Sequence, residues 1–140
     1  MTPCERHPLR ILVVDDDPSI RQVVHDLLLM KNHMAASSPD GETAEQLLKT
    51  TAFDLLITDL GLPGLSGWEL ARIAKRYQPA ITIIAITSWQ GNEAAARIGE
   101  CGIDIIIWKP FRLDQITQAV TALVRHRSEP KPGQRHPISP

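Results

Sequence analysis

The stretch Ile11-Leu12-Val13-Val14-Asp15-Asp16 decides the fold, because a short, continuously apolar run ends in two acidic side chains. Three later apolar runs also end in reactive side chains: 55–58 before Asp59, 81–86 before Thr87, and 105–108 before Lys109. If these runs are parallel strands, their reactive groups emerge together at one edge of a sheet, where open α/β sheets bind ligands. Carboxylates, a hydroxyl and an ammonium group at that edge predict a metal-assisted phosphoryl site.

Helical patterns separate the apolar runs, and three of them carry start signals. Asp17 can cap a first helix that has Pro18 at its first position, and Asp40 can cap a second. Ser66 and Glu69 have the spacing of a capping box for a third. The expected core-facing residues are Ile20, Val23, Val24, Leu27 and Leu28; Ala44, Leu47 and Leu48; Leu70, Ile73, Ala74 and Tyr77; and, in a fifth helix, Leu113, Ile116, Val120, Leu123 and Val124. A fourth helix, near 92–101, has the weakest pattern.

The order strand, helix, repeated five times, predicts an α/β fold. We predict a single doubly wound, five-stranded parallel sheet with five helices and right-handed crossovers. Four strands are apolar throughout, as strands covered on both faces should be. The second strand, 33–37, has little β-branched content and is therefore expected at an edge of the sheet.

Length and composition favour one globular domain. The chain has 140 residues, of which 43% are hydrophobic and 22% charged, values typical of globular proteins. We place the domain at 9–126, with a flexible arm at 1–8 and a Pro-rich basic tail at 127–140 that we expect to be disordered. The tail could contact an acidic partner or nucleic acid. A solvated chain end is the preferred interpretation, because short basic stretches match easily by chance.

The sequence also bears on location. No apolar stretch is long enough to cross a membrane, and residues 1–10 lack the apolar core of a secretion signal. Cys4 and Cys101 do not form a disulfide framework, so reduced thiols are the simpler interpretation. We therefore predict a cytoplasmic protein with no membrane contact and no direct nucleic-acid binding by its domain.

Three carboxylates at one sheet edge need a counter-charge. Asp15, Asp16 and Asp59 would repel one another and raise one another's pKa values. A hard divalent cation removes this repulsion, and Mg²⁺ prefers oxygen ligands such as these. The backbone carbonyl of Gly61, just past Asp59, could add a further ligand. The predicted cofactor is therefore Mg²⁺.

The remaining groups at the edge suit a phosphoryl group. Lys109 would face phosphoryl oxygens opposite the metal, and the Thr87 hydroxyl could donate to another of them. One of the carboxylates must then act as the nucleophile, since aspartate can form an acyl phosphate. A cis peptide bond is also predicted between Lys109 and Pro110, because the lysine must turn back over the site and X-Pro bonds permit cis at modest cost.

Four motifs together resemble the receiver domain of bacterial two-component response regulators. They are Val13–Pro18, Asp59–Gly67, Ile86–Ser88 and Trp108–Phe111. The resemblance covers about Leu9 to Val124. It implies a flavodoxin-like sheet with strand order 2-1-3-4-5.

The resemblance also implies a role for each residue of the site. Asp59 would be the phospho-acceptor, and Thr87 and Lys109 would contact the phosphoryl group. The implied metal ligands are Asp16, Asp59 and the Gly61 carbonyl, with Asp15 helping, often through water. The implied phosphoryl donor is a sensor histidine kinase or a phosphotransfer protein. A phosphorylation-controlled switch of this kind signals by conformational change, with self-phosphorylation and slow autodephosphorylation as its only chemistry. The sequence itself indicates the output surface: the alanine-rich fourth helix buries little and is expected to move, so we expect a protein target to bind the fourth helix, the last strand and the fifth helix.

The chain departs from the family pattern at three positions. Ile106 stands where a switching Tyr or Phe is frequent, so an aromatic-rotamer switch is absent there. Trp89 lies two residues past Thr87, where a side chain can border the phosphoryl pocket. Ser66 replaces a frequent Asp and serves equally well as a helix cap. Trp108 permits two interpretations: a partly exposed ring that binds a partner, or a ring packed against the fifth helix.

Two other functions are alternatives to the switch. An aspartate-nucleophile phosphatase of the haloacid dehalogenase type usually has a second Asp two residues after the nucleophile, and here that position is Gly61. A receiver-like scaffold that never uses its phosphate site is disfavoured because the full set of reactive residues is present. Stoichiometric modification by acetyl phosphate with Mg²⁺, as opposed to turnover, would separate the three.

Overall fold

The structure is a computed structural model that describes residues 8–88 and 100–128. Its strands are β1 (Arg10–Val14), β2 (Met34–Ser38), β3 (Leu55–Asp59), β4 (Thr82–Thr87) and β5 (Ile105–Trp108). Its helices are α1 (Pro18–Met30), α2 (Gly41–Thr50), α3 (Gly67–Tyr77) and α4 (Leu113–Ser128). All neighbouring strands are parallel, in the order β2-β1-β3-β4-β5. The predicted sheet, its order and the edge position of the second strand are confirmed.

Alternating side chains of the inner strands divide the core into two layers. Leu12, Leu56 and Ile83 belong to a cluster that also contains buried residues of α2 and α3. Their sequence neighbours Ile11 and Leu55 belong to the opposite cluster, which includes buried residues of α1 and α4. Each inner strand is therefore covered on both faces, which accounts for its continuously apolar sequence.

The predicted helix starts are confirmed at three positions. The Asp17 side chain accepts hydrogen bonds from the backbone N–H groups of Ser19 and Ile20 at the start of α1. Asp40 accepts one from Thr43 at the start of α2. Ser66 and Glu69 form the reciprocal capping box at the start of α3. These caps fix where each helix begins relative to the strand before it.

Three residues expected in the core are instead partly exposed. Val23, Tyr77 and Leu113 are 45%, 44% and 43% exposed, whereas Trp68 is only 4% exposed. Leu113 and Tyr77 lie at the first residue of α4 and the last residue of α3. Helical spacing predicts the direction of a side chain but not whether the facing element extends far enough to cover it.

Some predictions fall outside the described part of the chain. The fourth predicted helix is represented there by Glu100 and Cys101, which are helical; its remaining residues are not described, and neither is Trp89. The helix predicted last, α4, continues to Ser128, two residues beyond the domain limit placed at 126. The predicted arm and tail are not described, apart from Pro8 and the end of α4.

Candidate functional site

Strand register brings the reactive residues to one edge of the sheet. Val14 pairs with Thr58, so the residues that follow them, Asp15 and Asp59, lie side by side at the same edge of the sheet. On the other side of β3, Asp59 itself pairs with Ile86. Thr87 then pairs with Trp108, which places Lys109 one residue past the end of β5. The four strand ends therefore meet as the sequence predicts.

An ion pair joins Lys109, which follows β5, to Asp59 at the end of β3. The Lys109 ammonium donates a hydrogen bond of 2.8 Å to Asp59 Oδ2. The same nitrogen lies 3.9 Å from Asp15 Oδ2. The Asp59 side chain is 12% exposed and that of Lys109 is 23% exposed, so the pair is partly shielded while solvent still reaches it. A reacting group approaching Asp59 would therefore meet a fixed positive charge.

The predicted acidic cluster is present. Carboxylate oxygens of Asp15, Asp16 and Asp59 all lie within 4.8 Å of one another. Oxygen donors at this separation and with this charge suit a hard divalent cation. Asp16 is exposed and Asp15 is buried, so the cluster is open to solvent on one side. The residues present can therefore hold a metal ion.

Asp15 is the member of the cluster that burial affects most. Burial raises the pKa of its carboxyl group, and the nearby carboxylates of Asp59 and Asp16 act in the same direction. A hydrogen bond from the Asp17 backbone N–H, 2.9 Å from Asp15 Oδ1, and the charge of Lys109 oppose this rise. The charged form of Asp15 is thus disfavoured by its surroundings in the folded protein.

The pKa of Lys109 also departs from its usual value. Burial alone would lower it, but the hydrogen bond to Asp59 and the charges of Asp15, Asp59 and Asp16 raise it overall. The ammonium is therefore fully charged at neutral pH. The backbone N–H of Lys109 donates to the Thr87 carbonyl at 2.8 Å. The Lys109-Pro110 peptide bond is cis, which confirms that prediction.

The loop after β3 folds back tightly against the end of β3. The Gly61 backbone N–H donates to Asp59 Oδ1 at 2.8 Å, so the two oxygens of this carboxylate have different partners. A Cβ atom at Gly67 would collide with the Asp59 backbone carbonyl, and this position therefore requires glycine. The loop is thus held close to Asp59 at both ends.

The remaining predicted residues lie where the sequence places them. Thr87 is buried, only 2% exposed, at the last position of β4. Asp17 is absent from the metal-capable cluster of the described residues and caps α1 instead, as predicted. Trp108 is 44% exposed, so its ring is only partly covered.

Two contacts to the site were not predicted from the sequence. Arg21 Nη1 in α1 donates to the Asp15 backbone carbonyl at 2.8 Å. Glu42 Oε2 in α2 accepts from the Leu65 backbone N–H at 3.1 Å, in the loop that follows Asp59. Neither residue belongs to a motif at a strand end. A charged residue in the first turns of a helix that follows a site strand is a signal that could have suggested Arg21; α2 follows β2, which carries no site residue, so no such signal points to Glu42.

Comparison with known proteins identifies the family. The sequence model of one protein family, the response regulator receiver domain, matches residues 11–121. The chain belongs to this family. A receiver is a phosphorylation-controlled switch, and the matched residues include all four strand ends of the site.

Several relatives share this domain. The two-component response regulator PhoP of Pseudomonas aeruginosa is 29% identical over 123 residues, covering 86% of this chain and 53% of PhoP. The receiver domain of an HD domain-containing protein from Pseudomonas fluorescens Pf-5 is 28% identical, with a TM-score of 0.80 over 89% of this chain and 100% of that one. The BeF3-activated receiver domain of DrrB from Thermotoga maritima is also 28% identical, with a TM-score of 0.76 over 84% of this chain and 98% of that one.

The receiver is only one part of some of these relatives. The chain spans about half of the length of PhoP, and another relative is covered over only 11% of its length. Among the residues that the structure describes, no helix is long and apolar enough to cross a membrane. Family membership favours the switch over the phosphatase alternative, since the matched family is a signalling domain.

Proposed function

We propose that Asp59 accepts a phosphoryl group and that this modification switches the receiver between two signalling states. The observation that carries the proposal is the 2.8 Å contact between Lys109 Nζ and Asp59 Oδ2 beside the cluster of Asp15 and Asp16. An acceptor carboxylate must approach an anionic phosphoryl group, and it can do so only where positive charge compensates both.

The metal ligands proposed are the carboxylates of Asp15, Asp16 and Asp59 and the backbone carbonyl of Gly61. Mg²⁺ is the proposed ion because it favours an all-oxygen set with few carboxylates. Bound there, it would neutralise charge on the carboxylates and on the phosphoryl oxygens. The raised pKa of Asp15 supports this assignment, because a carboxylate buried at a cost is relieved by a cation.

The proposed reaction is a transfer from a phosphohistidine. One Asp59 oxygen forms a bond to phosphorus while the bond from phosphorus to the histidine nitrogen breaks. The nitrogen leaves with the electron pair and takes up a proton. Lys109 then exchanges its carboxylate contact for a phosphoryl oxygen, and the Thr87 hydroxyl donates to another. The later, slow attack of water on phosphorus releases inorganic phosphate and restores the Asp59 carboxylate.

The donor proposed is a sensor histidine kinase or a phosphotransfer protein, and a groove beside Lys109 supports its approach. The groove has a volume of about 590 Å³ and lies between α1 and the segment that joins β5 to α4. Val23 and Leu113 line it and are both more than two-fifths exposed. An apolar helix face of the donor, seated there, would bring its histidine to the open side of Asp59.

The proposed output surface is the last strand, α4 and the predicted helix at 92–101. Exposure of Trp108 on β5 supports this choice, because large aromatic side chains are frequent anchors in protein interfaces. We further propose that this surface binds a protein target, that the protein is cytoplasmic, and that the domain does not bind nucleic acid directly. The proposed domain limits are 9–126.

Mass spectrometry after incubation with acetyl phosphate and Mg²⁺ tests the acceptor. The wild-type protein should gain one phosphoryl group, and Asp59→Asn should gain none. Asp26→Asn is the matched control, since Asp26 is an exposed carboxylate of α1 and should leave the reaction unchanged. A phosphoryl group still present on Asp59→Asn would refute the assignment. Continuous release of phosphate at many turnovers per chain would point to a phosphatase instead.

Replacing Val23 or Leu113 by Glu tests the donor groove. Either change should slow transfer from a phosphorylated phosphotransfer protein while leaving modification by acetyl phosphate unchanged, because the small donor needs no docking surface. The matched control is Met30→Glu, at the far end of α1, where the side chain is 76% exposed. Equal rates for all three variants and the wild type with the protein donor would exclude the groove.

A further inference from the structure

The loop after Asp59, residues 60–66, rests against the first turn of α2. Leu65 donates its backbone N–H to Glu42 Oε2 at 3.1 Å. A Cβ atom at Gly41 would lie 2.6 Å from the Leu65 carbonyl oxygen, so only glycine lets the two backbones approach this closely. The first turn of α2 therefore accepts a hydrogen bond from the Leu65 N–H and passes close to the Leu65 carbonyl.

Gly64 leaves space for the Glu42 carboxylate in this position. Its φ is +71°, in the left-handed region that favours glycine, and a Cβ atom there would lie 2.8 Å from Glu42 Oε2. The loop therefore turns at Gly64 in a way that leaves room for the carboxylate. The contact between α2 and the loop therefore depends on Gly41 and Gly64, which leave space, and on Glu42, which accepts the hydrogen bond.

The same loop carries the groups that the site needs. At its front, the Gly61 N–H holds Asp59 Oδ1, and the Gly61 carbonyl is a proposed metal ligand. At its rear, the capping box of Ser66 and Glu69 fixes the start of α3. Glu42 joins the intervening segment to a different element. A shift of that segment would reach Gly61, which is only four residues from Leu65.

We propose that Glu42 is a positioning residue that holds the loop so that Gly61 presents its carbonyl to the metal beside Asp59. This inference rests on the proposed function for the role of Gly61. Glu42 does not touch the reacting groups; it acts through the Leu65 backbone. Its acceptor oxygen matters more than its charge, because an amide oxygen can accept the same hydrogen bond.

Three variants of the full chain test this role. Glu42→Ala removes the acceptor, Glu42→Gln keeps an acceptor oxygen without the charge, and Glu45→Ala removes one charge from the same helix. Mg²⁺ affinity is measured by calorimetry, amide exchange by NMR, and the free energy of unfolding by urea. We expect Glu42→Ala to bind Mg²⁺ roughly two- to tenfold more weakly, the range that corresponds to the loss of one ordinary hydrogen bond. The Leu65 and Gly61 amides should exchange faster.

The other two variants should keep wild-type affinity and exchange. Equal weakening by Glu42→Ala and Glu42→Gln would show a long-range charge effect and overturn the positioning role. Wild-type affinity and exchange in Glu42→Ala would overturn it as well. So would a loss of Mg²⁺ affinity fully accounted for by a lower free energy of unfolding. If the wild-type protein binds no Mg²⁺, the proposed metal site fails. Unchanged amide exchange in Glu42→Ala would then refute the Glu42 contact separately.

Discussion

Asp15 illustrates how a carboxylate of the candidate site can oppose folding. Its folded-state pKa is raised, mainly by burial, above the ordinary value of 3.8. The folded state therefore holds its proton to a higher pH than the unfolded state does. Stability falls as the pH rises through that interval, and the charged carboxylate is a cost at neutral pH.

Asp15→Asn should therefore stabilise the metal-free protein at pH 7. The neutral amide can still accept the hydrogen bond from Asp17, and the expected gain is roughly 0.5–2 kcal/mol, the usual size for one stabilising change. Urea unfolding in EDTA measures it. In Mg²⁺ at 100 times the dissociation constant, the wild-type protein should gain about 2.7 kcal/mol by binding, so the order should reverse. A less stable Asp15→Asn protein in EDTA would contradict this account.

Asp16 and Asp17 are adjacent but should respond differently to truncation. Asp16 lies in the acidic cluster, whereas Asp17 caps α1 through Ser19 and Ile20. Asp16→Ala should weaken Mg²⁺ binding by about tenfold or more and reduce phosphorylation. Asp17→Ala should mainly lower the free energy of unfolding, by about 1 kcal/mol for a lost cap. Calorimetric titration and urea unfolding of both variants separate these effects, and equal losses of metal affinity would refute the distinction.

At the residue scale, the sequence predicts the reactive side chains of the site but not the contacts that depend on the packing of distant elements. Asp59 and Lys109 were predicted because each follows an apolar strand, and the structure brings them into contact. Glu42 was not predicted, because its contact with Leu65 depends on how closely α2 approaches a loop 23 positions further along. No spacing within one element carries that information.

At the scale of elements, a hydrogen bond to His33 joins the connection between α1 and β2 to the residue before β1. His33 Nδ1 accepts a hydrogen bond of 3.0 Å from the Leu9 backbone N–H, just before β1. Burial lowers the pKa of His33 below its ordinary value of 6.5. A protonated ring could not accept this bond, because both nitrogens would then be donors.

Acid should therefore loosen this connection. The unfolded state binds the His33 proton more readily, so the stability contributed by the neutral ring is present above pH 6.5 and is lost as the pH falls through the lower folded-state pKa. The free energy of unfolding of the wild-type protein should fall more between pH 7.5 and 5.5 than that of His33→Leu. His25→Leu provides the control for a second histidine of the same region. Identical pH dependence in the wild-type protein and His33→Leu would exclude the effect.

Element boundaries show where prediction succeeds and where it stops. Caps at Asp17, Asp40 and Ser66 were predicted because capping chemistry is local. The burial of Tyr77 and Leu113 was predicted wrongly, because burial depends on which neighbour covers the end of a helix. The pattern within a helix cannot supply that neighbour.

At the scale of the whole molecule, the route from the site to the far edge of the sheet is short. Thr87 pairs with Trp108 across β4 and β5, and its carbonyl accepts the Lys109 N–H. Movement of Thr87 toward a phosphoryl group would therefore pull on β5 directly. Ile106 is partly buried against the core on the α2 and α3 side, so packing must transmit the change where a ring rotation is absent.

Amide exchange with and without beryllofluoride and Mg²⁺ checks this route. Protection should change in the Asp59 loop and also from Thr87 through β5, including Trp108, because a phosphoryl-like charge reorders the donors around it. Asp59→Asn with the same reagents is the control and should show no change. If only the Asp59 loop responds, the signal does not leave the site through the last strand.

The overall architecture was the easiest level to predict. Alternating elements, buried apolar strands and short connections leave few topologies, and the strand order followed from the family resemblance. The donor groove beside Val23 was not predicted, because it is a space between two elements and has no sequence pattern of its own.

The unequal burial of two indole rings provides the molecule with an optical reporter. Trp68, directly behind the loop after Asp59, is 4% exposed, while Trp108 on the last strand is 44% exposed. A dissolved quencher such as iodide should reach the second ring far more readily than the first. Single-tryptophan proteins that retain one ring or the other would therefore report separately, by fluorescence alone, on the two ends of the signalling route.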